Sequence, residues 1–279
     1  SHASIEVVGS TPAEFDRFTP PFHFAHWSFD ESDGARFSGT YSAGTTSELA
    51  AHLETSDHAA FDQAYVAGRS RQALRFDGRL LARTSFPGIS ELSTHTVSFW
   101  VKVPADAELS NAYSMISWRA SDHKLAYRAV QISWNRNPAE GAIGALRTDF
   151  SGGCAIGSTS LRDGRWHYVT VVIIPSENTT PPLQVKQYLD GRLESSSVIP
   201  GRIHGPGGSP NTDLNDVVWL GSRLGTSGPR KERFRGELDE LFITDRGLEP
   251  HEIVSLMNDN RLPSADAVMT GAAPIVATS

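Results

Sequence analysis

Two clusters of acidic residues stand near opposite ends of the sequence. Asp30, Glu31 and Asp33 form the first, and Glu237, Asp239 and Glu240 form the second. Carboxylate oxygens are the hard ligands that Ca²⁺ prefers, in sets of roughly six to eight. They also serve as acid and nucleophile in glycoside hydrolysis, where a retaining enzyme needs two carboxyl groups ~5 Å apart. Which chemistry is available depends on the elements that carry the two clusters.

The second cluster lies on a predicted strand, Leu238 to Thr244, preceded directly by Glu237. Successive side chains of a strand point to opposite faces. Glu237 and Asp239 should therefore share one face, with Leu241 next on it, while Glu240 points to the other layer. On this face only the shorter Asp239 accompanies Glu237, which does not provide the acid and nucleophile of a retaining glycosidase. We therefore expect no catalysis from this strand. A glycoside hydrolase or polysaccharide lyase stays open as an alternative function.

Other residue types offer less chemistry. The ten histidines include no His-Glu-x-x-His pair, and no Gly-x-Ser-x-Gly turn is present for a serine nucleophile. A single cysteine, Cys154, excludes an internal disulfide and a cysteine-based metal centre. Trp118, Trp134 and Trp219 could stack on sugar rings, although tryptophans at strand spacing more often belong to a core.

Charge and hydropathy exclude several classes of partner. The 279 residues carry 25 Lys and Arg against 32 Asp and Glu, a formal net charge of −7. No global basic field draws the chain to nucleic acid or to anionic lipid. The longest apolar stretch, Tyr168 to Ile174, is far shorter than the ~20 residues of a transmembrane helix. We expect neither a nucleic acid partner nor membrane insertion.

Short runs of alternating apolar residues predict a chain of strands. The clearest run is Thr96 to Val103, where four apolar side chains point one way. Similar runs predict at least nine strands in all: Leu74 to Phe76, Thr96 to Val103, Tyr113 to Trp118, Ala129 to Trp134, Ile143 to Thr148, His167 to Ile174, Leu183 to Leu189, Val217 to Leu220 and Leu238 to Thr244. Many short strands indicate an all-β antiparallel sandwich or jelly roll.

Four Asp-Gly pairs punctuate these runs and favour tight hairpin turns, since both residues tolerate a positive φ. They are Asp33-Gly34, Asp77-Gly78, Asp163-Gly164 and Asp190-Gly191. Two segments depart from the strand pattern. Ser47 to Ala60 has weak helical periodicity, and Pro250 to Met257 opens on a first-turn proline and predicts a short C-terminal helix.

The composition divides the chain into three parts. Residues 1–23 are rich in proline and read as a linker or N-terminal arm, residues 24–260 as one domain, and residues 261–279 as a flexible tail rich in Ala, Pro, Ser and Thr. Three polar loops of that domain are expected to share one rim of the sandwich and to carry recognition: Ala120 to Leu125, Arg136 to Gly141 and Ile203 to Asp216.

Four segments, in order and spacing, resemble the laminin-G-like family of concanavalin A-like jelly rolls (LamG, pentraxin type). They are His26-Trp27-Ser28-Phe29-Asp30-Glu31; Ala73-Leu74-Arg75-Phe76-Asp77-Gly78 followed by Thr96-Val97-Ser98-Phe99-Trp100-Val101-Lys102; Asp163-Gly164-Arg165-Trp166-His167-Tyr168-Val169 followed by Tyr188-Leu189-Asp190-Gly191; and Phe234 to Ile243 with the helix beyond it. Residues 35–70 depart from the family pattern, being longer and more helical.

The resemblance implies a concanavalin A-like sandwich with a structural calcium site formed by Asp30, Asp33 and Asp239. An alternative interpretation is that Asp30 and Asp33 cap a turn and that Asp239 accepts backbone hydrogen bonds. The resemblance further implies a non-catalytic, lectin-like binding or adhesion module of a bacterium. Its partner would be a glycan or a protein, and its location extracellular or periplasmic.

The proline-rich segment Thr11 to Pro21 suits a linker in a larger protein, such as an envelope signalling protein of FecR type. Two other classes stay open at this stage. One is the carbohydrate-active enzyme on the same fold, and the other is a structural interaction domain without a small ligand, because a fold alone does not decide among them.

Overall fold

A computed structural model describes residues 24–32, 34–42, 46–54, 61, 63–87, 89, 93–109, 114–119, 129–150, 153–176, 183–195, 199–200, 217–222 and 233–261. Seventeen strands and one helix lie in this part of the chain. The strands are β1 Phe24–Trp27, β2 Arg36–Ser42, β3 Thr46–Glu54, β4 Tyr65–Ala67, β5 Gln72–Asp77, β6 Leu81–Pro87, β7 His95–Lys102, β8 Ser114–Arg119, β9 Ala129–Trp134, β10 Ala145–Phe150, β11 Gly153–Ser160, β12 Trp166–Pro175, β13 Leu183–Leu189, β14 Arg192–Ser195, β15 Ile199–Pro200, β16 Val217–Leu220 and β17 Arg235–Thr244; the helix, α1, is Pro250–Asp259.

All described pairings between strands are antiparallel, and they form the two layers of a sandwich. The first sheet runs β4-β5-β17-β7-β12-β13-β14. The second sheet runs β2-β3-β6-β16-β8-β9-β10-β11-β15. Strand β1 pairs with both β17 and β2 and so joins the two sheets along one edge. The predicted all-β concanavalin A-like sandwich is confirmed.

The main core lies between the sheets and is built from the alternating apolar positions that predicted the strands. Phe99 of β7, Val169 of β12 and Trp118 of β8 are each fully buried in it. The opposite, outer face of the first sheet is covered in part by α1. There Ile253 and Leu256 of the helix pack with Trp100, Tyr168, Val172, Tyr188 and Phe242 of the sheet.

The C-terminal helix begins and ends as its sequence suggests. Pro250 occupies the first turn, and the Glu252 carboxylate accepts a hydrogen bond of 2.9 Å from the backbone N–H of Glu249. A left-handed Asn260 closes the last turn. The predicted helix from Pro250 to Met257 is therefore confirmed and extends to Asp259.

The helical interpretation of Ser47 to Ala60 is wrong where the structure describes it. Thr46–Glu54 forms β3, which is hydrogen-bonded between β2 and β6. Pairing on both edges overrides a weak local helical preference, because strand propensity depends on context. The predicted arm, residues 1–23, and residues 262–279 of the predicted tail lie outside the described part of the chain.

The Asp-Gly pairs do not all form hairpins. Asp190 and Gly191, with φ of 50° and 78°, make the predicted two-residue turn between β13 and β14. Asp77-Gly78 instead leads from β5 in the first sheet to β6 in the second, and Asp163-Gly164 leads from β11 to β12 in the same crossing manner. Asp33 lies outside the described residues.

His167, near the start of β12, connects the Asp163-Gly164 and Asp190-Gly191 turns. Its Nδ1 lies 2.8 Å from the Asp190 carboxylate and its Nε2 3.2 Å from that of Asp163. The hydrogen bond to Asp190 is the main reason that the pKa of His167 lies above its usual value. The imidazole therefore links two turns that are 27 residues apart along the chain (163 to 190).

A second histidine, His95, is sealed in the interior at the start of β7. Its side chain is fully buried, with Nδ1 2.7 Å from the carbonyl oxygen of Ser93 and its ring edge-on to Trp118 at 5.7 Å. Burial lowers the pKa of His95 to about 4. The folded protein therefore holds this imidazole neutral.

We expect His95 to make the fold sensitive to acid. Its pKa is lower in the folded chain than in the unfolded chain, so its contribution is intact above pH ~6.5 and is lost as the pH falls towards 4. The shift corresponds to about 3 kcal/mol at pH 4. Urea unfolding at pH 7 and pH 4 should show a smaller acid loss for His95→Phe than for the natural protein. His251→Gln, at an exposed helix position, is the control; equal losses for all three proteins would contradict the assignment.

Candidate functional site

The acidic cluster of β17 lies at a β-bulge. Asp239 pairs with Trp100 of β7, but Phe242 pairs with Ser98, so three steps along β17 match two along β7. Glu240 adopts a positive φ of 49° at this point. The bulge also marks a change of neighbour on the other edge of β17, because residues 235–238 pair with β5 and residues 241–244 pair with β1.

The extra residue reverses the predicted alternation beyond Asp239. Leu241 points into the main core, and Phe242 lies on the outer face with the helix. Simple alternation predicted that Glu240 points to the opposite layer, and this prediction is wrong. The Glu240 carboxylate lies 2.5 Å from Nε2 of His26, whose ring stacks on Phe242 at 3.9 Å. A bulge inserts one residue and so shifts the phase of every later side chain.

Asp239 lies at the start of the bulge. It is fully buried, and its Oδ2 accepts hydrogen bonds from the backbone N–H groups of Arg69 at 2.8 Å and Ser70 at 2.9 Å. Its other oxygen, Oδ1, is buried without a hydrogen-bond partner among the described residues. Burial, with a contribution from the nearby Glu240 charge, raises the pKa of Asp239 to about 7.

Asp30 reaches the same turn from the other side. Its Oδ1 accepts a hydrogen bond of 3.2 Å from the N–H of Gln72, and its Oδ2 lies 3.8 Å from the Arg71 guanidinium. Asp30 and Asp239 thus hold the turn between β4 and β5, over residues 68–72. The structure brings these two predicted calcium ligands to one feature of the fold, where Asp239 accepts backbone hydrogen bonds, as in the alternative interpretation, and Asp30 binds a turn distant in sequence.

The described residues by themselves do not fit a calcium ion. Three of the four carboxylate oxygens of Asp30 and Asp239 contact the turn, which leaves Oδ1 of Asp239 as the one oxygen aimed at no donor. No group of three or more acidic, His or Cys side chains in the described part of the chain is arranged to hold a metal. Asp33 lies outside those residues, so the site of Asp30, Asp33 and Asp239 stays a prediction.

The remaining glutamate of the cluster is also engaged. Glu237 faces outward from β17, and its Oε2 lies 3.1 Å from the Lys102 ammonium. Glu240 is bound to His26, and its side chain is only 4% exposed. Although the bulge moves Glu240 away from its predicted layer, the three carboxylates are buried or paired. None of them is presented to a polysaccharide as a free acid and nucleophile.

A second candidate surface crosses the outer face of the second sheet. Strand register aligns six side chains on neighbouring strands, and residues in register share one face. They are, in order from β6 to β11, Arg83, Trp219, Ser117, Gln131, Asp149 and Cys154. We call this set the transverse row.

The transverse row is polar yet largely buried. Ser117 is fully buried and Gln131 is 3% exposed, although both lie on an outer face. The Arg83 guanidinium stands 5.8 Å over the Trp219 ring, which is 6% exposed. A few polar groups beside an aromatic ring are typical of small-ligand sites.

One end of this face is held rigidly by Arg147. Its Nε and Nη2 donate to the Asp149 carboxylate at 2.7–2.9 Å, while Nη1 reaches Asn135 and Glu140. Asn135 in turn donates from Nδ2 to the carbonyl oxygens of Asn137, Gly141 and Ala142. This network fixes the loop that contains the predicted recognition segment Arg136 to Gly141 beside the transverse row.

The three tryptophans considered for sugar stacking lie in different parts of the fold. Trp118 and Trp134 belong to the main core, so stacking on a sugar is excluded for them, whereas Trp219 lies on the outer face with Leu81 and Val217. Cys154 is a buried free thiol whose pKa is raised by burial. The other two predicted recognition loops, Ala120 to Leu125 and Ile203 to Asp216, lie outside the described residues, so the shared rim stays a prediction.

Most of the transverse row was not identified from the sequence. Arg83, Ser117, Gln131 and Asp149 come from four strands, and only the register between strands aligns them. The one available signal was the alternation of polar residues within β9 and β10, such as Gln131 and Ser133. Alternation predicts which face a residue occupies, and it says nothing about which strand lies beside it.

Comparison with known proteins agrees with the fold. A family model described as the concanavalin A-like lectin/glucanases superfamily matches residues 80–254, which is 175 of the 279 residues. No curated protein sequence matches the chain. No helix in the described part of the chain is long and apolar enough to cross a membrane.

Two solved structures share the architecture at low identity. Domain 4 of AbnA, a GH43 extracellular arabinanase from Geobacillus stearothermophilus, solved in complex with arabinotriose, is 19% identical with a TM-score of 0.52; the match covers 85% of this chain and 99% of that one. The binding domain of Paraclostridial Mosquitocidal Protein 1 is 18% identical with a TM-score of 0.51, over 86% of this chain and 52% of that one. Such likeness establishes the fold alone.

Proposed function

The chain belongs to the concanavalin A-like lectin/glucanase superfamily, and we propose that it is a non-catalytic carbohydrate-binding module whose ligand lies along the transverse row. The observation that carries the proposal is the row itself. An indole, a guanidinium, a hydroxyl, an amide and a carboxylate stand in register on five adjacent strands. Hydroxyl-rich sugars are recognised by such polar groups beside an aromatic face.

Rigid support favours binding at this position. The Arg147 network ties Asp149 to Asn135 and its loop, so these polar groups are held before a ligand arrives. Groups held in place lose less conformational entropy on binding. Ser117 is fixed similarly, because its hydroxyl donates to the carbonyl oxygen of Ser222 at 2.8 Å.

The engagement of the β17 carboxylates supports a module without catalysis. A retaining glycosidase needs an acid and a nucleophile ~5 Å apart and open to the substrate. Asp239 and Glu240 are buried, and Glu237 is paired with Lys102. Reducing-end assays on β-glucans, agars, alginates and xylans should stay at the blank. Turnover that disappears in Glu237→Gln would establish the enzyme instead.

The experiment that tests binding is a glycan array with and without calcium, followed by titration calorimetry. Arabinotriose is the first probe, because the structurally similar arabinanase domain was solved with it. Trp219→Ala and Gln131→Ala should each weaken the best ligand at least about tenfold, a loss of ~1.4 kcal/mol. Leu193→Ala, at a 55% exposed site on β14, is the control.

Two results would contradict this assignment. One is an array without any ligand, and the other is unchanged affinity in both variants while their melting temperatures show that they are folded. A location outside the cytoplasm and attachment to a FecR-type signalling protein are part of the same proposal. They are supported by the family resemblance and would be tested by fractionating the producing cell.

A further inference from the structure

The outer face of the first sheet carries a second surface with different chemistry, which borders the cluster under α1, since Trp166 packs against that cluster. Register aligns Trp166 of β12 with Lys102 of β7, Lys102 with Glu237 of β17, and Glu237 with Arg75 of β5. Three strand spacings separate the ends of this line, a distance of roughly 14 Å. That is the reach of a few sugar units.

Positive charge dominates this line and its borders. Arg69, Arg75 and Arg235 are exposed, and neither Arg75 nor Arg235 makes an ion pair within the described residues. The Arg69 guanidinium lies over the Trp100 ring at 4.8 Å. We call Arg69, Arg75, Lys102, Trp166 and Arg235 the basic-aromatic patch.

The nearby acidic groups are already neutralised. Glu237 is paired with Lys102 at 3.1 Å, and Asp77, which stands opposite Arg235, is held by Arg79 at 2.6 Å. Asp239 is buried beneath the turn that carries Arg69. The patch therefore has a local positive excess on a chain whose formal net charge is −7.

The patch also offers an aromatic surface. Trp166 is partly exposed, and the Lys102 ammonium lies 5.9 Å from its ring centre. A sugar ring can stack on such an indole while its charged substituent meets a neighbouring cation. Guanidinium groups bind carboxylate or sulfate through two parallel hydrogen bonds, which a lysine cannot do.

We propose that the basic-aromatic patch binds an acidic polysaccharide, with anionic sugar substituents on Arg75 and Arg235 and a sugar ring on Trp166. The site is separate from the transverse row, which lies on the opposite sheet, and it does not depend on the function proposed for that row. A carboxylated and a sulfated sugar present the same chemistry to these guanidinium groups. A nucleic acid fits less well, since its dense backbone charge is repelled by the net charge of the chain.

The test is titration calorimetry of the full chain with three anionic probes. These are an alginate hexamer, a sulfated carrageenan hexamer and the oligonucleotide dT6, with mannohexaose as an uncharged comparison. At least one acidic sugar should bind, more weakly at higher salt, and more tightly than mannohexaose or dT6. The ratio of the two sugar affinities then shows whether carboxylate or sulfate is preferred.

Variants assign the binding to the patch. Arg75→Glu with Arg235→Glu, and separately Trp166→Ala, should each weaken the acidic sugar at least about tenfold. Arg192→Glu with Lys186→Glu makes the same charge change on the β13 and β14 hairpin and should lower affinity less than threefold. The patch lies on the first sheet and Trp219 on the second. Loss of acidic-sugar binding at the patch would therefore not contradict the proposal for the transverse row, and failure of the proposal for the row would not contradict this one.

Three outcomes would overturn the proposal. They are no binding of either acidic sugar, equal losses in the patch and control double variants, and binding of dT6 at least as tight as that of the acidic sugars. Melting temperatures of all variants are measured alongside. If Trp166→Ala unfolds, the charge-reversal pair, whose side chains are exposed, decides the question.

Discussion

Gly221→Ala should unfold the domain or destabilise it by more than about 4 kcal/mol. Gly221 has a φ of 71°, and a Cβ atom there would lie 2.3 Å from the ring of Phe76, which is 2% exposed. The backbone cannot move away, because its N–H donates to the carbonyl of Met115 and its own carbonyl accepts from Phe234. Positive φ and overpacking of the core both raise the energy of the folded state. Urea unfolding measures the loss.

Gly34→Ala is the matched control for this prediction. Gly34 also has a positive φ, 84°, but a Cβ atom there would meet nothing within 4 Å. It should therefore cost only the backbone term of about 1 kcal/mol. If the two variants lost equal stability, the clash with Phe76 would be irrelevant and our account of the packing beneath β16 would be wrong.

Replacing Asp239 should have opposite effects according to the replacement. Asp239→Ala leaves the N–H groups of Arg69 and Ser70 without their acceptor, at a cost of roughly 1–3 kcal/mol each. Asp239→Asn keeps one oxygen as the acceptor for both N–H groups and replaces the unpartnered Oδ1 by a neutral amide NH₂ group. We expect the asparagine variant to be at least as stable as the natural protein at pH 8, and about 4 kcal/mol more stable than the alanine variant.

Glu237→Ala, two residues earlier on the same strand, is the control and should change stability by less than about 1 kcal/mol, since it removes only a partly exposed ion pair. Melting in excess calcium and in chelator completes the experiment. If calcium raised the melting temperature of the natural protein and Asp239→Asn abolished that rise, the predicted site of Asp30, Asp33 and Asp239 would be supported. If the alanine and asparagine variants were equally stable, Asp239 would have no role in holding the turn.

Local patterns were sufficient for much of the fold. Strands such as β9 and β13 begin and end where their alternating residues predicted, and Pro250 marked the start of α1. The strand β3 was mistaken for a helix because its sequence, TSELAAHLE, contains good helix formers. Only its pairing with β2 and β6 makes it a strand, and pairing between segments is absent from a local pattern.

The candidate sites show the same division. The predicted calcium site requires Asp30 and Asp239 to lie close together, and the pairing of β1 with β17 does bring both to the turn between β4 and β5. The face of Glu240 could not be predicted, because the bulge arises where β17 exchanges β5 for β1 as its neighbour. The transverse row and the basic-aromatic patch depend on register across several strands, which alternation within one strand does not contain.

The pairing of β1 with β17 also bears on how the chain folds as it is synthesised. Phe24 and Thr244 are register partners, so 220 residues separate them along the chain. Loop closure over such a distance is entropically costly, and topologies dominated by distant pairings fold slowly. The edge of β1 that faces β17 must stay unpaired, with β2 on the other edge, until nearly the whole domain has left the ribosome. Strands β1 and β5, which precede the match to the family model, are thus made early and are completed only when β17 pairs with them.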